Sequence, residues 1–371
     1  MEWLTDQAAW IIPFLVVLTV LVVVHELGHY WVARRNGVKV ETFSIGFGPE
    51  LFGWTARSGT RWKVSALPLG GYVKMFGDMD ASSRPDDERN TAMTAEERAV
   101  AFPFKTLSAR AWIVAAGPLA NFLFAALLLA GLFFFYGQPT TPAVVTEVLP
   151  DSAAERAGFA VGDSIISING APIERFEDVQ RVVQLNLERP LAIVVNRDGQ
   201  PVELTAQPTI VTDTDPQGCE VRLARLGIKA EGRENRELGF LESLQVAAAE
   251  TWGIARDTLG ALWQIVAGER GTDDLGGPIR IAELSGQVAE FGLVSLLWFM
   301  AILSVNLGLI NLFPIPVLDG GHLLFFACEA VRGRPLGPRA QEYGFKIGIA
   351  LVLSLMIFAT INDLVRITGC A

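Results

Sequence analysis

Four long apolar blocks constrain this chain more than anything else in it. Ala8 to Val24 is broken only by Pro13 and Thr19, and Ala111 to Tyr136, Phe291 to Leu312 and Ile347 to Ile361 follow. A helix needs roughly 20 apolar residues, within about 17–25, to cross the hydrocarbon of a bilayer. The first three blocks reach that length with their flanks, and the fourth does when taken from Tyr343. Buried helices of a large soluble protein would usually keep a polar face. The expectation is a polytopic α-helical membrane protein with about four transmembrane helices, in keeping with a hydrophobic content of 51%.

Glu2 and Asp6 precede the first block, no Lys or Arg does, and no small-residue cleavage site follows it. The block therefore reads as a retained span rather than a signal peptide. Cations crowd the segment after it (Arg34, Arg35, Lys39, Arg57, Arg61, Lys63, Lys74), and Lys105 and Arg110 precede the second block. Arg332, Arg334 and Arg339 fall between the third and fourth. The positive-inside rule puts both loops in the cytoplasm, and the termini and the 137–290 segment outside. A net charge of −10 argues against nucleic acid as a partner. Cys219, Cys328 and Cys370 are scattered and lack metal-ligand spacing. A bridge between Cys219 and Cys370 is open on this topology, but three ordinary thiols are the expectation.

Between the spans the pattern changes. Val38 to Met75, with "VETFSIGFGPELF" and "TRWKVSALPLGGYVKM", reads as short strands and turns. Residues 78–100 are polar and read as a cytoplasmic loop. Residues 141–230 read as a small α/β module with a helix at "FEDVQRVVQLN". Residues 239–268 read as an amphipathic helix with too many charges to span (Glu242, Glu250, Arg256, Asp257), lying on the outer membrane surface.

The chemistry concentrates in "VVVHELGHY", at the end of the first apolar block. His25 and His29 stand at i and i+4, so one helix face can offer both imidazoles to one ion. Glu26 lies beside that face, where it can take a proton from a metal-bound water whose pKa zinc lowers towards about 7. Two histidines and a glutamate at membrane depth are costly without a partner. A catalytic zinc commonly has three protein ligands, and no third histidine lies nearby in sequence. Asp319, in "NLFPIPVLDGGH", is the best candidate. It shares the expected side and depth of His29, and Pro314 and Pro316 should unwind the backbone before it. Gly320 and Gly321 would let the chain turn close to the metal. His322 is the competing ligand, more in keeping with a supporting place in the next turn.

Taken together, "HELGH", "SIGFGPEL", "PLGGYVKM", "AAGPLANF", "GGPIRIA" and "SVNLGLINLFPIPVLDGGH" resemble, in that order, the site-2 protease family of intramembrane zinc metalloproteases. The likeness is to its bacterial branch, the regulator of sigma-E proteases, and it covers nearly the whole chain. It implies zinc held by His25, His29 and Asp319, with Glu26 as catalytic base. It implies that Asn306 and Asn311 contact substrate or stabilise the oxyanion. It further implies a membrane-associated β-hairpin around Gly70 and Gly71 that pairs with unwound substrate, and a motif on the second helix formed by Gly117, Pro118 and Asn121, with Asn121 assigned to substrate. The 141–230 module resembles a PDZ domain in Pro150 to Ala154, Ala157-Gly158, Gly162-Asp163 and Ile168-Asn169-Gly170, with "LGI" at Leu226 to Ile228 as its peptide-binding loop. One such module is present where well-known family members carry two.

The expected organisation is a membrane core half at 1–136, a PDZ-like domain at 141–230, a surface helix and linker at 237–290, and a second core half at 291–371. The implied activity is hydrolysis of peptide bonds within transmembrane segments of single-span proteins, of the anti-sigma factor or remnant signal peptide type, after another protease has trimmed them. The implied place is the cell inner membrane, with the PDZ-like domain periplasmic and the active site near the cytoplasm. Two other classes compete. An inactive scaffold binding peptides through its PDZ-like domain would not need an intact HExxH, and an ion transporter would have no use for a peptide-binding insert.

Overall fold

The structure is a computed structural model and describes residues 2–78, 92–187, 189–214, 220–232, 234–272 and 275–369. In chain order the helices are α1 (Glu2–Arg35), α2 (Ala95–Val100), α3 (Leu107–Tyr136), α4 (Ala153–Ala157) and α5 (Phe176–Leu185). Then come α6 (Phe240–Val266), α7 (Pro278–Glu290), α8 (Leu293–Asn311), α9 (Asp319–Arg332) and α10 (Pro338–Gly369). The strands are β1 (Val40–Thr55), β2 (Arg61–Met75), β3 (Gln138–Thr140), β4 (Glu147–Val148), β5 (Ser164–Ile168) and β6 (Ala171–Pro172). They continue as β7 (Leu191–Arg197), β8 (Gln200–Ala206), β9 (Thr209–Thr214), β10 (Glu220–Arg225), β11 (Ile228–Lys229) and β12 (Glu234–Arg236). Among the described residues, four helices are long and apolar enough to cross a membrane, through Trp10–Arg35, Leu107–Tyr136, Leu293–Asn311 and Arg339–Thr368. The chain is a polytopic helical membrane protein carrying a PDZ-like α/β domain. It divides into two compact units.

The first unit comprises residues 1–129, 247–255 and 276–361. Its helices approach one another at glycines. A Cβ on Gly28 would stand 2.2 Å from the Ala116 carbonyl oxygen and 2.7 Å from Ala120 Cβ. Only glycine therefore allows α1 and α3 to cross this closely, and the crossing falls inside the HExxH turn. At Gly308 a Cβ would lie 2.9 Å from the Pro118 carbonyl, which brings α8 against α3. Gly286 does the same for α7 against Trp10 of α1, with 2.4 Å to Trp10 Cβ. Small residues at helix contacts suit a bilayer, where association depends on close packing.

β1 and β2 form a bent two-stranded sheet packed on the end of α1. Val40–Ile45 is bracketed by β2, with Gly71–Met75 on one side and Arg61–Val64 on the other. Ala33, Val38, Val40, Phe43, Val73, Met75, Phe102, Ile113 and Val114 make one buried cluster that joins α1, the sheet and the start of α3. Trp62 stacks on Phe43 at 4.2 Å, with Tyr30 edge-on to Trp62 at 5.1 Å. Leu51, Phe52 and Trp54 are exposed, with Trp54 stacked on the outer side of Trp62 at 5.9 Å.

Besides the short α4, three helices among the described residues go beyond the sequence expectation. α2 lies within the 78–100 stretch expected to be a loop, of which 79–91 fall outside the described residues. Its signal is a capping box, with the Thr94 hydroxyl accepting from the Glu97 N–H and the Glu97 carboxylate accepting from the Thr94 N–H at 2.9 Å. α7 falls in the segment expected as linker, and α9 in the loop expected between the third and fourth spans. α9 is tied down by Arg110, which reaches Glu329 at 2.6 Å and lies over the Phe326 ring. Cys219 and Cys370 lie outside the described residues, and Cys328 is a free thiol.

The second unit comprises residues 130–246, 256–275 and 362–371. Its main sheet runs β6-β5-β7-β8. Val145, Ala154, Ile165, Ile168, Val179, Leu191, Ile193 and Val195 fill its core. β11 pairs with β4, and the Leu226 and Gly227 carbonyls accept from the Ala154 and Leu149 N–H groups at 2.8 Å. The Leu226 side chain is buried in the core. Asp163 is buried and gripped by Arg197, with Nε to Oδ1 at 2.7 Å. Those hydrogen bonds hold the Asp163 carboxyl below its ordinary range. The later part of α6 lies along α5, where Arg181 Nε meets Asp257 at 2.9 Å and Gln264 donates to the Leu185 carbonyl.

Candidate metal centre

α1 is regular through His25-Glu26-Leu27-Gly28-His29, so the two imidazoles stack one turn apart on the face turned to α3. Both rings are buried and edge-to-face, with centroids 4.8 Å apart. Their Nε2 atoms are 3.2 Å apart. Helix α8 ends at Asn311, the prolines keep residues 312–318 out of helix, and Asp319 opens α9 at its positive end. This brings an Asp319 carboxylate oxygen to 3.0 Å from His25 Nε2 and the other to 3.5 Å from His29 Nε2.

The loop before Asp319 is tightly confined. Val317 has φ 102°, a left-handed conformation that costs a β-branched residue strain. Added Cβ atoms on Gly320 and Gly321 would meet the Phe313 and Ile315 carbonyl oxygens at 2.2 and 2.4 Å, and one on Gly348 of α10 would meet the Pro316 carbonyl at 1.6 Å. Gly320 and Gly321 thus make room for the loop's own backbone, rather than for a turn about the metal.

These residues fit a zinc ion on three counts. First, ligands about 2.0–2.1 Å from a tetrahedral zinc stand roughly 3.3–3.4 Å apart, close to the separations observed here. Second, Asp319 Oδ2 is buried without a hydrogen bond although it faces His25 at 3.0 Å, as expected of a lone pair turned to a shared cation. Third, Gly117 of α3 leaves open the space beside the nitrogens, since a Cβ there would lie 2.3 Å from His29 Nε2 and 2.8 Å from His25 Nε2. Among the described residues, His25, His29 and Asp319 are the group of metal-binding type with mutually close donor atoms.

A cavity of about 180 Å³ opens beside them, lined by His25, Glu26, His29, Val73, Met75, Val114, Asn311, Val317, Asp319 and His322. The Glu26 carboxylate faces the Val73 backbone N–H of β2. Gly71, on the same strand, is close to Glu26 and Val22 of α1, and a Cβ there would be 2.7 Å from the Ser44 carbonyl. Gly70 is buried, with φ 134° and Phe47 against it. Asn311 lines the cavity and donates to the Leu307 carbonyl at 3.0 Å. Asn306 is not among the lining residues. His322 shares the cavity but packs on Phe325 and Phe345, outside the three-ligand group.

Asn121, which the resemblance assigns to substrate, sits behind the histidines. It is 0% exposed, absent from the cavity wall, and set against the far nitrogen of His25 at 3.2 Å. The sequence reading overlooked this place, as it did the Ile113 carbonyl 2.9 Å from His29 Nδ1. Neither can be found without knowing how α1 crosses α3.

Comparison with known proteins shows the family. A family profile described as "Peptidase family M50" matches residues 13–355. The chain belongs to peptidase family M50, the site-2 proteases. A Rhizobium meliloti protein bearing a zinc metalloprotease name is 48% identical over 369 residues, covering 98% of this chain and 99% of that one. The metalloprotease MmpA of Caulobacter vibrioides is 40% identical over 379 residues, covering 96% and 95%. A Vibrio cholerae relative with a zinc metalloprotease name aligns over 465 residues at 34% identity, covering 98% and 100%. Among solved structures, the PDZ domain of an SdrC-like protein from Listeria monocytogenes covers 24% of this chain and 87% of that one, at 16% identity and a TM-score of 0.20. This M50 protein is a membrane-embedded metalloprotease of the site-2 type, and its relatives' names carry zinc.

Proposed function

We propose that this M50 protein holds zinc through His25, His29 and Asp319 and cleaves peptide bonds within the transmembrane segments of single-span membrane proteins, with Glu26 as its base. The observation that carries this reading is the meeting of those three donors and Glu26 in one cavity at the end of a membrane-spanning helix, beside an open strand of β2. A zinc ion bound there would polarise the scissile carbonyl and acidify the attacking water.

The chain's own residues supply the rest. Glu26 takes the proton from the attacking water and passes it to the leaving amine. A substrate helix must first open, because its carbonyls are occupied by its own hydrogen bonds. Gly71–Met75 pairs with β1 on one side only, among the described residues. Its other edge supports a role in holding the opened substrate backbone by strand addition. Asn311, on the cavity wall, is the better placed of the two α8 asparagines to touch substrate. The exposed Leu51, Phe52 and Trp54 support a dip of the β1–β2 sheet into the bilayer.

On the positive-inside rule the centre lies near the cytoplasmic face and the PDZ-like domain is periplasmic, in an inner membrane. Substrates of the anti-sigma factor or remnant signal peptide type, trimmed by another protease, suit a membrane-level cavity. The deciding experiment is cleavage of a single-span peptide by detergent-purified protein beside Glu26→Gln. Cutting by the wild type alone, stopped by a chelator, supports the reading. Intact protein that cuts none of several trimmed helical substrates would leave an inactive peptide-binding scaffold in its place.

A further inference from the structure

Each imidazole in the centre has a second nitrogen, and what that nitrogen meets decides whether Nε2 is free to bind a metal. His29 Nδ1 is 2.9 Å from the Ile113 carbonyl oxygen. A carbonyl only accepts, so His29 carries its hydrogen on Nδ1 and leaves a lone pair on Nε2. His25 Nδ1 instead meets the Asn121 side-chain amide at 3.2 Å. An amide can donate or accept, and its oxygen and nitrogen are assigned from the surrounding bonds.

The surroundings limit that choice. With Nδ2 turned to His25, Asn121 Oδ1 is buried with no hydrogen-bond partner. His25 would then have to accept at Nδ1 and carry its hydrogen on Nε2, pointing at His29 and Asp319 and unable to ligate. With the amide turned over, the NH2 group takes the unpartnered place instead, but His25 Nδ1–H donates to Oδ1 and the Nε2 lone pair faces the other two donors, so it is the need for a ligating Nε2 that decides. Asn121 cannot swing away. Its backbone carbonyl accepts from the buried Ser304 hydroxyl at 2.9 Å, and Gly308 presses α8 against its Cβ.

We infer that Asn121 is a positioning residue for the metal centre: its side-chain oxygen accepts the His25 Nδ1–H and holds that ring in its ligating tautomer, as the Ile113 carbonyl does for His29. The inference rests on the zinc-centre reading above. It removes Asn121 from the substrate surface and gives the α3 motif a chemical task, with Gly117 clearing space beside Nε2 and Asn121, one turn later, orienting the ring from behind. Partners behind a metal-bound histidine typically contribute 10–100-fold to metal affinity.

The test is zinc affinity by chelator competition on the full-length protein in detergent, for wild type, Asn121→Leu and Asn121→Asp. Leu keeps the volume and removes the acceptor, whereas Asp can accept at neutral pH but cannot donate. Asn121→Leu is expected to weaken zinc by about 10–100-fold while the metal-free protein unfolds at its usual temperature. Asn121→Asp is expected to stay within about threefold of wild type. Wild-type affinity in Asn121→Leu, or a loss in Asn121→Asp as large as in Asn121→Leu, would overturn the inference. Should Asn121→Leu not fold, Asn121→Asp against wild type decides alone, because a bond donated by the asparagine would be lost in it. A wild-type protein that binds no zinc would overturn the metal-centre reading instead.

Discussion

At the scale of single residues, the centre depends as much on what is missing as on what is present. Gly117 carries no ligand atom, yet any side chain at that position would occupy the space that the two Nε2 atoms face. Gly117→Ala should therefore lower zinc affinity by at least about tenfold and cost about 1–3 kcal/mol as neighbours shift to relieve the clash. Zinc content after dialysis, read beside thermal unfolding, checks this, and full occupancy at the wild-type melting temperature would refute it. His25 and His29 were legible because four-residue spacing is a helical signature that survives any tertiary arrangement. Asp319 was legible for another reason: a carboxylate after two prolines at the end of an apolar block is costly unless something binds it. Asn121 was not, because a polar residue in an apolar helix declares a need for a partner without naming one.

At the scale of elements, α8 and α9 cooperate through the residues between them. The 312–318 loop is confined by the first turn of α9 and by α10, where Gly348 leaves no room for a side chain beside the Pro316 carbonyl. Gly348→Ala should displace that loop and Asp319 with it. The expected result is a lower melting temperature together with weaker zinc retention, while a change in melting temperature alone would show that the loop moves without the ligand. The four spans were readable from the hydropathy of α1, α3, α8 and α10, but not all their ends, since α1 runs on to Arg35 and α10 from Pro338 to Gly369, past the apolar blocks. α7 and α9 were not, since short helices of mixed character resemble connecting segments. The glycine crossings were also hidden, because Gly28 inside HExxH looks like a spacer until Ala116 is seen against it.

At the scale of the whole molecule, the two units answer to different conditions. In the PDZ-like domain, Arg197 holds the Asp163 carboxyl below its ordinary range. A group whose folded value is depressed contributes stability above its unfolded value, near pH 4, and loses it as pH falls through the lower folded value. Asp163→Asn should therefore lower the resistance of residues 141–230 to proteolysis at neutral pH in the full-length protein. The gap from wild type should close as the medium is acidified, and a gap that persists in acid would assign the effect to packing. The α/β character of this segment was readable because its strand and turn patterns are local in the sequence, whereas the path of α6 along α5 depends on the pairing of Arg181 with Asp257, which no local pattern announces.

The cavity takes nothing from the middle of the chain. Its lining residues fall between His25 and Val114 or between Asn311 and His322. The lining is thus a clasp drawn from two distant parts of the chain, backed by Gly117 and Asn121 of α3, and the α/β segment at 141–230 lies between them in sequence as a cassette that contributes no lining residue. The Vibrio cholerae relative, aligned over 465 residues against the 371 of this chain, is long enough to carry a larger one. Chain length can thus differ between such proteins outside the segments that line the cavity.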